Sequence, residues 1–264
     1  MSHLTGETKW YNNFSPEFKR VQWMKPFVHP SEGGCTAAGG MLATAGAIIT
    51  LLPPPPARVL DAGCAEGHLS RCLSLCGYEV DAMDVCADVL NEAARRSMST
   101  AWNGRFSTVH FYVQDYDHIT NTSGTEAYDA IVFADALHHS RDRLATLRSA
   151  FAALKPGGTL IAAEPGLGHG RASVEWARKM DVTERSVLPW VLAREARGCG
   201  FRDVKFHPNP TTLFKAAYEP AGLAHHPLLR LTLRLFGVGL VSAARRVHGL
   251  TVMRKPKTNQ QKDE

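Results

Sequence analysis

Polar residues follow several apolar runs of this sequence, and the first of them opens a glycine-rich turn. Residues 58–73 read RVLDAGCAEGHLSRCL, so an apolar stretch ends at Asp61 and glycines follow at positions 63 and 67. Glycine lets the backbone approach a ligand closely, and a turn of this kind that opens a helix is typical of sites for nucleotide-shaped cofactors. The spacing therefore indicates a cofactor site at this turn.

Further titratable residues lie at the ends of the later apolar runs. Asp84 ends the second run, and Asp115 with Tyr116 follows the third. A histidine in a crevice is suited to proton transfer, because its ordinary pKa lies near neutral pH. The groups expected after the fourth and fifth runs are Asp135, His138, His139, Glu164 and His169.

These residues need a fold that brings the ends of several strands together. Strands alternate with helices along the chain, which predicts an α/β fold with a doubly wound, mostly parallel sheet of seven strands. Right-handed crossovers place the ligand crevice at the carboxyl ends of the first and fourth strands. The predicted strands are 57–61, 78–83, 109–114, 128–134, 159–164, 201–206 and 249–255, and the predicted helices of this alternation are 67–76, 87–98, 143–154 and 189–198.

The glycine spacing bears on which cofactor is bound. A dinucleotide-binding turn has glycines in the pattern G-x-G-x-x-G. When Gly63 is aligned with the first glycine, Ala65 and His68 occupy the other two positions. The third glycine, which close helix–strand packing under a pyrophosphate requires, is missing. The spacing argues against a nicotinamide-dependent oxidoreductase.

The turn resembles motif I of the class I S-adenosylmethionine-dependent methyltransferases, which usually reads D-x-G-x-G-x-G. Here the motif runs from Asp61 to Gly67, with Ala65 in place of the middle glycine. The resemblance covers residues 57–206 and the last strand, and it includes FADALHHS after the fourth strand and LKPGGTLIAAE before and within the fifth. It implies a Rossmann-like fold, an enzyme of the small-molecule type, and S-adenosyl-L-methionine as the cofactor.

The resemblance also implies which residues bind that cofactor. Asp84, with Val85 after it, would take the ribose hydroxyls, and a carboxylate suits this because it accepts from both hydroxyls at once. Asp115 would bind the adenine amino group, with Tyr116 beside the ring. The remaining expected contacts are Asp61, Gly63, Cys64, Ala65 and Gly67 of motif I, Asp135 after the fourth strand, and Tyr11 from the N-terminal segment.

Three residues are candidates for catalysis. In similar enzymes the position of His138 faces the substrate, so we rank His138 first as the general base or as a group that orients the acceptor. A histidine that only caps the strand–helix loop is the equal alternative. The resemblance makes His139 structural, and Glu164 either lines the crevice or holds the following loop, PGLGHG, in place.

The acceptor is predicted to be a small molecule. Residues 135–138 read DALH, which is neither the Asp/Asn-Pro-Pro-aromatic clamp of DNA amino-methylating relatives nor the Pro-Cys of cytosine-C5 enzymes, so no nucleic acid is expected. EPGLGHG followed by DVTERSVLPW is similar to methyltransferases found with bacterial surface-polysaccharide enzymes. This favours O-methylation of a saccharide or specialised metabolite. The alternatives are N- or C-methylation of a small molecule, or a non-catalytic S-adenosylmethionine-binding protein.

The chain is predicted to divide into three parts. Residues 1–52, with Trp10, Tyr11, Phe14 and Trp23, form an N-terminal helical lid, 53–256 form the methyltransferase domain, and 257–264 form a disordered tail. The domain includes a helical insertion, 207–248, before the last strand. Its arginines at 230, 234 and 245 share one helical face. The insertion could roof the pocket, contact a membrane surface through residues 227–248, or mediate dimerisation.

Composition limits the class and the compartment. The 264 residues are 44% hydrophobic and 21% charged, as in ordinary globular proteins, and residues 1–15 lack the apolar core of a secretory signal. The six cysteines show no CxxC pairing, so we expect no metal site and a cytoplasmic location. The net charge of +5 combines +7 from residue 205 onward with −2 before it. The oligomeric state stays open.

Overall fold

The structure, a computed structural model, describes residues 11–28, 38–99, 109–164, 181–208 and 249–258, with the isolated residues 6, 8, 9, 175, 177–179 and 210. Its strands are β1 (Arg58–Ala62), β2 (Glu79–Asp84), β3 (Val109–Val113), β4 (Tyr128–Ala134), β5 (Leu154–Glu164), β6 (Arg202–Pro208) and β7 (Gly249–Arg254). They form one sheet in the order β3-β2-β1-β4-β5-β7-β6. Strands β1 to β5 run parallel, and β7 is antiparallel to both of its neighbours. The doubly wound, mostly parallel sheet of seven strands is confirmed.

Three of the described helices begin at a capping side chain or at a proline. The Ser15 hydroxyl accepts from the Phe18 N–H before the first helix, and the Asp142 carboxylate accepts from Leu144 and Ala145 before the sixth. Proline opens the first and last of the helices described here. They are α1 (Pro16–Met24), α2 (Ala38–Leu51), α3 (His68–Leu75), α4 (Ala87–Ser99), α5 (Thr120–Ser123), α6 (Arg143–Ala153) and α7 (Pro189–Gly198).

Apolar side chains cover both faces of the sheet. Neighbouring residues of β1 point to opposite faces, so Leu60 packs in the cluster that includes residues of α6 and α7, whereas Val59 packs in the cluster with α2 and α3. Ala45 and Ile48 of α2 are buried in this second cluster. Helix α2 lies within residues 1–52, the predicted N-terminal part, and it packs in this core. Its small and aliphatic residues fit closely against the sheet.

Two strands are longer than predicted. The fifth strand is predicted to begin at 159, after a helix that ends at 154, yet β5 begins at Leu154, which pairs with Tyr128 before the register shifts so that Ala130 pairs with Thr159. Gly157, with φ of +79°, lies in this irregular stretch. Strand β6 continues to Pro208, so the insertion cannot begin at 207. The irregular pairing in β5 and the edge position of β6 leave no alternation of apolar and polar residues at these strand ends. The sequence therefore could not show where the two strands begin and end.

Parts of the prediction lie outside the described residues. These are Trp10, His169 and the loop PGLGHG, nearly all of the insertion with Arg230, Arg234 and Arg245, and the tail beyond residue 258. In the part of the chain that the structure describes, no helix is long and apolar enough to cross a membrane.

Candidate active site

The turn after β1 is the point at which three loops meet. Gly63 has φ of +78°, and a Cβ atom there would lie 2.6 Å from the Ala136 Cβ and 2.6 Å from the Tyr116 hydroxyl oxygen. The Gly63 and Cys64 N–H groups donate to the Met83 carbonyl at 2.8 and 3.0 Å. Only glycine satisfies both the backbone angle and the contact distance. The loops after β1, β3 and β4 therefore converge at the predicted crevice.

The buried carboxylate of Asp61, just before this turn, is hydrogen-bonded to the helix that follows the turn. It is 1% exposed, and its Oδ2 accepts a hydrogen bond of 2.5 Å from the Ser70 hydroxyl on α3. Burial raises the pKa of Asp61 to about 6, although the hydrogen bonds from Ser70 oppose the shift. The described contact of Asp61 thus ties the end of β1 to the helix that follows the turn.

The carboxylate of Asp84 is held in place by backbone groups at the end of β2. Its Oδ2 accepts from the Ala65 N–H and its Oδ1 from the Cys86 N–H, both at 3.0 Å. Burial raises the pKa of Asp84, and these hydrogen bonds counteract that rise. Each carboxylate oxygen can accept a second hydrogen bond. The geometry fits the recognition of two adjacent hydroxyls beside the motif I turn.

Asp115 and Tyr116 follow β3 on the same edge of the sheet. The Asp115 Oδ1 accepts from the Asp117 N–H at 3.3 Å, which caps a short turn of 3-10 helix. The Tyr116 ring packs edge-to-face on Phe133 with 5.6 Å between the ring centroids. Its hydroxyl lies against Gly63. The two residues therefore lie at the expected end of the crevice.

Tyr11 contacts both cofactor loops from the N-terminal segment. It is 8% exposed and packs in a cluster with Ala65 of motif I and Cys86, which follows Asp84 by two residues. Its hydroxyl accepts a hydrogen bond of 2.9 Å from Trp23 Nε1, and burial raises its pKa. Tyr11 thus connects the N-terminal segment to the motif I turn and to the loop after β2.

Two arginines attach α1 to the domain. Arg71 of α3 donates to the Lys25 carbonyl, and Arg96 of α4 donates to the Trp23 carbonyl, each at 3.2 Å. The Arg96 guanidinium also lies 5.0 Å from the centroid of the Trp23 ring. Cations at the carboxyl end of a helix complement its unpaired carbonyls and its dipole. The segment is therefore fixed to the two helices that follow the cofactor loops.

His138 and Glu164 form a buried pair at the ends of β4 and β5. The His138 Nδ1 lies 2.7 Å from the Glu164 Oε2, and both side chains are 3% exposed. Glu164 also accepts from the N–H groups of Ala136, Leu137 and His138 at 3.2, 2.8 and 3.3 Å. Among the described residues, Glu164 therefore holds the loop after β4. The predicted role of Glu164 in holding the loop PGLGHG concerns residues 165–170, which lie outside the described residues.

The pKa values of the two neighbouring histidines are shifted in opposite directions. Burial alone would lower the pKa of His138, but the hydrogen bond and charge of Glu164, with Asp135 and Glu184, raise it to about 9. Burial and the charge of His138 lower the pKa of His139 to about 4. The two rings lie 4.1 Å apart between centroids. At neutral pH, His138 is the ring that carries the positive charge.

Glu184 is a neighbour of both histidines that the sequence did not reveal. Its Oε1 lies 3.9 Å from His138 Nε2, and its Oε2 lies 3.6 Å from His139 Nδ1. The three residues offer ligand atoms within 4.8 Å of one another, as a metal site would. The His139 Nδ1 lies 2.8 Å from the Thr183 carbonyl, which only accepts, so this nitrogen donates a proton there. The cluster therefore brings two imidazole rings and one carboxylate together.

The remaining predicted residues differ in their surroundings. The Cys64 side chain packs in the core with Ala82 and Leu90, so any cofactor contact would come from its backbone. The Asp135 side chain is 77% exposed, with Oδ1 4.0 Å from His138 Nδ1. A Cβ on Gly67 would lie 3.2 Å from the Phe111 ring, so this glycine serves packing as well as the turn. Val85 is half-buried beside Asp84.

These features fit S-adenosylmethionine. The turn at Gly63 has no room for a side chain, the Asp84 carboxylate is oriented by two backbone N–H groups beside it, and Asp115 follows the next strand of the sheet. A pyrophosphate-binding turn would require a third glycine, where His68 is found. The site therefore suits a cofactor that presents a ribose and no diphosphate.

Comparisons with known proteins agree with this description. A family model described as a methyltransferase domain matches residues 42–204, more than half of the chain. The ubiquinone biosynthesis O-methyltransferase of Xanthomonas campestris pv. campestris (strain B100) is 33% identical over 107 residues, which span 40% of this chain and 42% of that relative. A second such enzyme, from Xanthomonas axonopodis pv. citri, is 31% identical over 42% of this chain and 44% of its own.

Solved structures show the same fold at low identity. Phosphoethanolamine N-methyltransferase 2 of Haemonchus contortus, in complex with S-adenosyl-L-methionine, has a TM-score of 0.61 at 17% identity, covering 95% of this chain and 60% of that one. The cyclase SpnF has a TM-score of 0.60 at 18% identity, covering 97% and 98%. The chain belongs to the family of methyltransferase domains.

Proposed function

We propose that this methyltransferase acts on a small molecule and transfers the methyl group to a hydroxyl oxygen, on a saccharide or another specialised metabolite. The observation that supports this best is the buried pair that Glu164, at the end of β5, forms with His138 on the loop that contacts the motif I turn. A hydroxyl must lose its proton during transfer and benefits from ionisable groups nearby, whereas an amine needs only to arrive unprotonated.

The position of the pair supports contact with the acceptor. Ala136 touches the turn at Gly63, and its N–H donates to Glu164. His138 follows two residues later and is buried, so water is kept from the ring. S-adenosylmethionine supplies a methyl group on a sulfonium, whose leaving group is already activated. The residues of the chain then have to align the acceptor oxygen and exclude water.

The cofactor roles that we propose follow the placement of the predicted residues. Asp84 accepts from the ribose hydroxyls, Asp115 accepts from the adenine amino group with Tyr116 beside the ring, and the motif I turn supports the rest of the cofactor. Tyr11 covers it from α1's side of the crevice. The curated Xanthomonas relatives are named as O-methyltransferases, which supports oxygen as the acceptor atom. The matched stretches cover less than half of each relative, so the names of these relatives do not identify the acceptor of this chain.

A panel assay tests this function. Purified full chain would be incubated with S-adenosylmethionine and with three acceptor sets, namely sugars and phenols, primary and secondary amines, and enolisable carbon acids. S-adenosylhomocysteine would be measured by mass spectrometry. We expect product with hydroxyl acceptors, and His138→Gln should lower turnover by about 10²- to 10⁴-fold while cofactor affinity stays unchanged.

Glu79→Gln is the matched control for this assay, because its side chain is 59% exposed at the start of β2, away from the crevice. It should retain full turnover. Product with amines alone would assign the chain to N-methylation. Cofactor binding without turnover in any set would favour the non-catalytic alternative.

A further inference from the structure

The hydroxyl of Thr146, in the first turn of α6, lies between two loops of the candidate active site. Its Oγ1 lies 2.7 Å from Asp117 Oδ1, in the 3-10 turn after β3, and 2.7 Å from the Ser140 hydroxyl, which follows the 3-10 turn after β4. Thr146 and Ser140 are both buried. These three side chains, Asp117, Thr146 and Ser140, form a hydroxyl bridge that joins one loop to the other.

The number of hydroxyl hydrogens fixes the direction of the bridge. An ionised carboxylate only accepts, so Thr146 donates its single hydrogen to Asp117. The Asp142 carbonyl, a second acceptor near this hydroxyl, lies farther away, at 3.2 Å. Thr146 then has no hydrogen left for Ser140, so the Ser140 hydroxyl donates to Thr146. The two hydrogen bonds therefore point the same way and end on a carboxylate, an arrangement in which each strengthens the other.

Both ends of the hydroxyl bridge are bonded to turns that contain residues with proposed roles in the site. The Ser140 N–H donates to the Leu137 carbonyl and closes the turn that contains His138. The Asp117 N–H donates to the Asp115 carboxylate at 3.3 Å. The bridge thus fixes the loop proposed to hold the acceptor relative to the loop proposed to bind the adenine.

A second hydroxyl of α6 contacts the loop after β3 but has no described bond to the loop after β4. The Ser149 hydroxyl oxygen accepts a hydrogen bond of 2.8 Å from the Ile119 N–H, just after the 3-10 turn that contains Asp117. Ser149 is also buried. It therefore attaches α6 to the same loop as Thr146 does, without linking that loop to Ser140, and provides a matched comparison.

Methyl transfer depends on how these loops are placed relative to each other. The acceptor atom must lie in line with the S–C bond of the cofactor, and reacting atoms about 3–3.5 Å apart are required for a fast displacement. We infer that Thr146 is a positioning residue for methyl transfer, because through Asp117 and Ser140 it keeps the acceptor loop in place relative to the bound cofactor. The inference rests on the proposed function, in which His138 acts on the acceptor and Asp115 binds the adenine.

The hydroxyl bridge can be tested without any substrate. Asp117→Ala and Ser140→Ala, alone and combined, would be unfolded in urea in the parent chain and in Thr146→Val, which replaces the hydroxyl with a methyl group. In the parent, the two effects on the equilibrium constant of unfolding should be coupled by about threefold or more, because both residues bond to Thr146. In Thr146→Val they should be independent. Independent effects in the parent would overturn the inference.

Kinetics distinguish positioning from a general loss of stability. The acceptor would be the compound that gives most product among the sugars, phenols, amines and carbon acids of the panel assay. Thr146→Val should lower kcat by about 10- to 100-fold and leave the Kd for S-adenosylmethionine within about threefold of the parent, whereas Thr146→Ser, which keeps the hydroxyl, should restore most of the rate. Ser149→Ala should destabilise the fold yet keep kcat within about threefold of the parent.

The outcomes separate the inference from the proposed function. Full kcat in a folded Thr146→Val variant, or an equal loss of kcat in Thr146→Val and Ser149→Ala, would overturn the positioning role. Methylation of amines but of no hydroxyl would overturn the proposed function, and the same comparison of variants with the amine would then decide on Thr146. If no acceptor gives product, the proposed function fails, and the coupling in urea still decides whether the hydroxyl bridge exists.

Discussion

Gly63 and Ala136 lie so close together that a Cβ atom at position 63 would be 2.6 Å from the Ala136 Cβ. Gly63 belongs to the motif I turn, and Ala136 belongs to the loop that carries His138. Glu164 binds three consecutive N–H groups of that loop. The motif I turn and the loop proposed to hold the acceptor are thus packed together. A substitution in either of them should therefore also displace the other.

Substitution of Gly63 should be costly for this reason. Gly63→Ala combines a positive φ with a steric clash and should lower the free energy of unfolding by about 2–4 kcal/mol. Gly77→Ala also has a positive φ, of +92°, but no atom nearer than 3.7 Å, so it should cost about 1 kcal/mol. Gly46→Ala, in open space within α2, should be neutral or stabilising by up to about 1 kcal/mol. Urea denaturation measures all three, and equal costs at positions 63 and 77 would refute the close approach.

Asp84→Ala should weaken cofactor binding. The loss of a charged acceptor for two hydroxyls is worth about 1.5–3 kcal/mol, so the Kd for S-adenosylmethionine should rise by about 10- to 100-fold in calorimetry. Because the Ala65 and Cys86 N–H groups also lose their acceptor, Tm must be measured in parallel. Glu79→Gln, on the same strand, serves as the control. An unchanged Kd in a folded variant would show that Asp84 does not bind the ribose.

The His138 charge should appear in the pH dependence of stability. Its pKa is about 9 in the folded chain and 6.5 ordinarily, so its stabilising contribution is complete below pH 6.5 and is lost as the pH rises through 9. The difference in unfolding free energy between the parent and His138→Gln should therefore shrink by about 3 kcal/mol over this interval. His139, with a pKa of about 4, acts only on the acid side, between pH 6.5 and 4. A difference that stays constant from pH 6.5 to 9 would argue against a charged His138.

Tyr11 should couple the N-terminal segment to the cofactor loops. Tyr11→Phe removes the acceptor of Trp23 Nε1 and should cost about 1 kcal/mol, whereas Tyr11→Ala also removes the packing on Ala65 and Cys86. Tyr11→Ala should weaken S-adenosylmethionine binding and speed limited proteolysis within residues 11–28. Phe27→Ala, at a 72% exposed position of the same segment, is the matched control. Proteolysis that is equally fast in both variants would show that Tyr11 does not fix the segment.

The sequence predicted the bounds of those elements whose local residue pattern matches the fold. Strand β4 and helix α7 have the predicted bounds, 128–134 and 189–198, because buried strands read as apolar runs and proline marks a helix start. The strand-end acids lie along one edge because parallel strands share a direction. Local patterns could not identify Glu184 as a neighbour of His138. The two residues are brought together by the fold, because residues 181–188 pack on the loop after β4. An acid within DVTERSVLPW was visible, but nothing in its spacing distinguished it from a solvated loop residue.

The destination of the methyl group tests the central claim most directly. The chain would be supplied with S-adenosylmethionine labelled with ¹³C on the transferred methyl and with an acceptor that offers both a hydroxyl and an amine. The product would be read by ¹³C NMR, in which methyl groups on oxygen, nitrogen and carbon resonate at different shifts. We predict a single new O-methyl signal that is weakened in Asp84→Ala when the cofactor is below saturation and strongly reduced in His138→Gln. A label found on nitrogen or carbon would contradict the account.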